Sequence, residues 1–169
     1  MSGRTSLRPH VRRLVFLTVS MLAFAGAVPP AWGAGAMVTG KYIGNGKPAA
    51  LAFARVIPHE KWQDETAYTL ILTEKDASKV DKPDFDAMFG KLGHALVINI
   101  TQSGSIFGTQ VCHQALEKSG FSSIGPIKVE RFSAAGGKLS AHLFTEGEQE
   151  FSGDTWSVDL EVKDVPLAK

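Results

Sequence analysis

Apolar and polar residues alternate almost without a break near the C-terminus, with Trp156, Val158, Leu160 and Val162 on one side and Ser157, Asp159, Glu161 and Lys163 on the other. A period of two is the mark of a strand with one buried face, so Thr155 to Lys163 is predicted as a strand. Lys138 to Thr145 behaves alike, grouping Leu139, Ala141 and Leu143 against Ser140 and His142, and Ile127 to Phe132 precedes it across the turn Ala135-Gly136-Gly137. Nearer the N-terminus, Val38 to Ile43 and Ala49 to Val56 flank Asn45-Gly46, a dipeptide that suits a two-residue hairpin turn. Ala67 to Thr73 is a further strand, and the polar, Pro58-containing stretch Ile57 to Glu65 reads as a loop.

The centre of the chain, Gly93 to His113, reads as one hairpin. With Ser103-Gly104 as its loop, Ile100 opposes Phe107, Ile98 opposes Thr109, Leu96 opposes Val111, and His94 opposes His113 at the open end. The other side carries Ala95, Val97, Asn99, Gln110 and Cys112 and is more polar. A three-residue loop would oppose His94 to Cys112 instead.

One helix is expected. Pro83 near a helix start, Asp84 and Asp86 in a first turn and Gly90 as terminator predict one or two turns over 83–89. Seven or eight antiparallel strands with short turns point to an all-β fold. An antiparallel β-sandwich is favoured over a small β-barrel, because the long connections 57–66 and 74–94 suit crossings between sheets.

The address comes from the first 36 of the 169 residues. Arg4, Arg8, Arg12 and Arg13 precede an apolar run, Leu14 to Val28, followed by Pro29-Pro30 and the small-residue site Ala34-Gly35-Ala36. This is the layout of a cleaved secretory signal peptide, and the run is short for a membrane span. The expectation is a single β-sandwich domain over 37–169, periplasmic or secreted, with no stable membrane insertion after cleavage. Removing 1–36 leaves 14 Lys/Arg against 17 Asp/Glu, a net charge of −3, which argues against nucleic acid as a partner. The single cysteine, Cys112, excludes an internal disulfide.

Candidate chemistry is sparse. His94 and His113, with Cys112 beside them, are the expected metal ligands for zinc or copper, and His59 or His142 would complete a set. Strand alternation opposes this, since Cys112 and His113 point to opposite faces. Ser122 and Ser123 lie in a Gly/Pro loop without the Gly-x-Ser-x-Gly elbow of a hydrolase. Asp81, Asp84 and Asp86 sit among lysines, the texture of a solvated surface more than of a calcium loop. The loops carry Trp62, Phe85, Met88, Phe89 and Phe121, of which Trp62, Phe89 and Phe121 are the expected contacts to a protein or small-molecule ligand. The leading expectation is therefore an exported binding module, ahead of a metal-binding protein and, third, a hydrolase.

Overall fold

The computed structural model describes residues 37–167. The expected signal peptide and its expected cleavage site fall outside the described residues. The fold is an all-β sandwich of two antiparallel sheets with one short helix. In chain order the elements are β1 (Val38–Gly44), β2 (Lys47–Ala49), β3 (Phe53–Trp62), β4 (Glu65–Thr73), α1 (Pro83–Met88), β5 (Ala95–Thr101), β6 (Ile106–Cys112), β7 (Phe121–Ser122), β8 (Ile127–Ala135), β9 (Lys138–Thr145), β10 (Gln149–Phe151) and β11 (Asp154–Pro166). Sheet A has the order β2-β1-β11-β9-β8, with β10 paired to β11; sheet B runs β3-β4-β5-β6-β7. Among the described residues no helix is long and apolar enough to cross a membrane.

The inward residues of both sheets make the main core. Trp156, Val158, Leu160 and Val162 of β11 are buried, as their alternation predicts, against Leu96, Ile98 and Ile100 of β5 and Leu139 and Leu143 of β9. A second, smaller cluster lies on the outer side of sheet B, where Ile71, Ala95, Val97 and Cys112 meet Ala77, Ala87 and Leu92. The side of the hairpin expected to be more polar is thus half covered, by α1 and its flanking loop. Helix α1 starts on Pro83 with Lys82 as an unbonded cap, and Gly90 follows its end at φ +71°.

Three local expectations are revised. Ala49 to Val56 is not one strand: the chain leaves sheet A after Ala49 and enters sheet B at Phe53, with Leu51 buried at the crossing. Ile57 to Glu65 is not a loop, because β3 runs through Trp62 and turns at Gln63-Asp64, both at positive φ. Pro58 is tolerated there because β3 is an edge strand, where a missing N–H breaks no ladder bond on the open side. Third, the β5–β6 loop is three residues long, since the Thr101 amide bonds the Ser105 carbonyl at 2.9 Å and Gly104 takes φ +95°. A one-residue bulge at Phe107 then restores the predicted pairing, from Asn99 with Gly108 down to Ala95 with Cys112.

Candidate functional site

At the open end of the hairpin the two histidines do come together, with ring centroids 4.4 Å apart. His113 is completely buried. Its ring fills the space that a side chain at position 44 would need: a Cβ on Gly44 would lie 2.5 Å from Nδ1. Tyr42 meets the ring edge-on at 4.9 Å, and its hydroxyl donates to the Ala95 carbonyl at 3.2 Å. The loop after β6 turns back over both imidazoles, so that the Gln114 N–H donates to His94 Nδ1 and the Ala115 N–H to His113 Nδ1, each at 3.2 Å.

That bonding decides what the pair can do. A ring whose Nδ1 lone pair accepts an amide is neutral with its hydrogen on Nε2, and has no second lone pair for a metal. A zinc or copper ion here would first have to displace a loop amide. His113 Nε2 is buried without a hydrogen-bond partner. Burial first, with the adjoining His94 ring acting in the same direction, pushes the His113 pKa down to about 4, against a weaker pull from the Lys47 backbone. Cys112 does not join the histidines. Its side chain lies in the second cluster, on the other face of sheet B, where burial pushes its thiol up to about 11. Among the described residues no three His, Cys, Asp or Glu side chains form a metal-ligand group.

A polar clamp, not anticipated from the sequence, closes the same end. Asp154 is buried and accepts from Asn45 Nδ2 at 2.7 Å and from the amides of Glu117 and Lys118 at 3.0 Å. These bonds, the Lys118 amide foremost, hold its pKa below the usual carboxylate value. Asn45 also donates to the Ala115 carbonyl at 2.9 Å and accepts from the Thr155 amide at 2.8 Å. The only signal for this in the sequence is the Asn-Gly turn, which places Asn45 but not its partner.

The predicted contact aromatics separate. Phe121 is core, 9 % exposed and stacked on Phe151 at 4.2 Å, so it is withdrawn as a surface contact. Trp62 and Phe89 are 43 % and 64 % exposed. Phe89 lies against Phe85 at 4.5 Å beside α1. Trp62 stacks on Phe107 at 4.5 Å, with His59 edge-on to the same ring at 5.2 Å. Phe107, expected to face inward opposite Ile100, is the residue bulged out of the β5–β6 ladder, and the bulge lets it meet the two β3 rings.

The remaining candidates are bound up locally. Ser122 Oγ donates to the Thr109 carbonyl at 3.3 Å and accepts from Gln110 Nε2 at 3.4 Å. Asp86 pairs with Lys91 at 2.7 Å, Asp76 accepts the Ser78 amide at 2.8 Å, and Glu74 accepts the His94 amide at 3.1 Å. His142 lies on the outer face of sheet A between Asp159, at 2.9 Å, and Glu130, at 3.5 Å. No protein-family model, curated protein or solved structure matches the chain.

Proposed function

We propose that this chain is an exported binding module that docks another protein on the outer side of sheet B. One observation carries the reading. Of the seven exposed large hydrophobic residues among the described residues, five (Phe53, Trp62, Phe85, Met88 and Phe89) belong to the outer side of sheet B or to the helix covering it. Helix α1 is apolar on both sides: Pro83 and Ala87 are buried against the sheet, while Phe85 and Met88 face away from it. Exposed aromatics and methionine rimmed by mixed charge, here Lys82, Asp86 and Lys91, are the composition of a recognition surface. The histidine pair and the Asp154 clamp are scaffold in this reading, holding the loop ends that frame the sheet.

The test is photo-crosslinking in the exporting host, with the probe at position 89 or at Ser157 on the outer face of sheet A. A discrete adduct from position 89 alone, lost in the Phe85→Ser/Phe89→Ser background, is expected. Adducts of equal yield from both positions, or adducts insensitive to the double substitution, would reject the assignment.

A further inference from the structure

One flank of the sandwich is closed by a single strand end. After a bulge between Val162 and Val165, where Asp164 takes φ +52°, β11 resumes its pairing with β9 through Pro166, and Leu167 bridges Val56 of β3 in parallel. The closure is incomplete. A cleft of about 320 Å³ lies between the edge of β3, the loop after β4 and the end of β11. Phe53, Val56, Ala77, Val165 and Leu167 give it apolar walls, and Met37 lies at the same seam. Its size is at the lower end of the range of about 300–1,000 Å³ typical of small-molecule pockets.

Among the described residues the cleft is lined by one cation, Arg55. Its Nη1 donates to the carbonyls of Ala77 at 2.8 Å and Val80 at 2.6 Å, which fixes the guanidinium against the loop. Among the described residues no carboxylate lies within ion-pairing distance of it, and its Nε and Nη2 hydrogens meet no acceptor. A half-buried guanidinium with an unused donor edge beside an apolar wall fits a planar carboxylate, which such an edge binds through paired hydrogen bonds.

We infer that the seam cleft binds a small amphipathic monocarboxylate, its hydrocarbon part between Phe53 and Leu167 and its carboxylate on the free edge of Arg55. Asp76 at the lip limits the charge of the ligand. Its Oδ1 is occupied by the Ser78 amide, and it remains ionised under the influence of that bond and of Lys79. A singly charged head tolerates that exposed neighbour through solvent screening, whereas a di- or trianion is disfavoured. This site shares Phe53 with the protein-docking surface proposed above, but its argument rests on Arg55 and the seam and does not depend on that reading.

The experiment is an amide-shift titration of the protein purified from an exporting host, using octanoate as probe, with octanol and octylamine as head-group controls. Octanoate is expected to move amides of 53–56, 76–80 and 165–167, and to bind at least about tenfold more tightly than octanol, the scale of a charge-assisted hydrogen-bonded pair. Arg55→Met is expected to reduce octanoate to the affinity of octanol and leave octanol unchanged, while Ser78→Trp at the mouth blocks both. Phe85→Ser/Phe89→Ser leaves all of these unchanged. Equal binding of octanoate and octanol by the unsubstituted protein, shifts confined to other surfaces, or no shifts at millimolar octanoate would each overturn the inference. The head-group comparison needs no substitution, so it decides the matter even if Arg55→Met loosens the loop.

Discussion

On the outer face of sheet A, β9 and β11 present Ser140, His142, Ser157, Asp159 and Glu161, and the ion pairs there run between β8, β9 and β11: Arg131 with Glu161, His142 with Asp159 and Glu130, and Lys138 with Asp164. Among the described residues no ion pair joins strands across the outer face of sheet B, where the pair Asp86–Lys91 belongs to α1 and the loop after it. There Ile71, Ala95, Val97 and Cys112 are buried under α1 and its loop, and the uncovered end carries His59, Trp62 and Phe107. Both sheets obey the same two-residue period, and they differ in what the outward positions contain. In β11 every second residue is polar, the pattern of a sheet wetted on one side; in β4 and β5 the apolar run is nearly continuous, the pattern of burial on both sides. Continuity, more than alternation, therefore distinguishes the sheet whose outer face is covered from the sheet that faces water.

The largest effect should come from placing one charge on each face. Val97→Asp puts a carboxylate under α1 and is expected to destabilise by roughly 3–5 kcal/mol, whereas Ser157→Asp should stay within about 0.5 kcal/mol. Urea denaturation of the two variants checks this, and similar losses would erase the distinction between the faces.

Acid gives the next largest effect. Because the folded pKa of His113 lies at about 4, below the ordinary 6.5, the unfolded chain takes up its proton first as the pH falls. The stability due to neutral His113 is therefore fully present above about pH 6.5 and is lost progressively as the pH falls through about 4, on the order of 3 kcal/mol in all. The exposed ion pairs of sheet A are screened and contribute little to this window. His113→Phe should cost stability at neutral pH, since the Ala115 amide loses its acceptor, and should flatten the melting-temperature profile between pH 6.5 and 4. An unchanged profile would remove His113 as its source.

A third test reads the cover itself. With Cys112 buried beneath the α1 layer and its thiol pushed up to about 11, a thiol reagent at pH 8 should label the folded protein far more slowly than the unfolded chain. Ala87→Asp, which loosens the helix, should restore rapid labelling; slow labelling in a variant whose helix is shown to be displaced would mean that something else shields Cys112. The smallest effect belongs to sheet A, where Arg131→Ala removes an exposed pair with Glu161 and should cost no more than about 1 kcal/mol by urea denaturation.

Much of the candidate site was legible at low resolution. His94 and His113 were paired from the hairpin register alone, and strand alternation already set Cys112 against that pair. The loop amides that occupy both Nδ1 atoms were not legible, because they come from the course of the chain after β6 and no local pattern specifies it. Trp62 and Phe89 were recognisable as surface aromatics. Phe121 was not recognisable as core, because it pairs opposite Val111 in a strand only two residues long, too short to show any period.

Within the chain itself, periodicity and turn chemistry determine the regularly alternating strands such as β9 and β11, the Asn45-Gly46 turn and the start of α1 at Pro83, because each depends on a few neighbouring residues and their backbone preferences. The tertiary structure decided which faces are covered. It also decided that Pro58 lies on an edge, that Phe107 bulges out to meet Trp62, and that Leu167 closes the seam on Val56. Each depends on residues far apart in the chain meeting, as Asn45 meets Asp154, 109 residues away, where β1 pairs with β11, and such pairing leaves no trace in either local sequence.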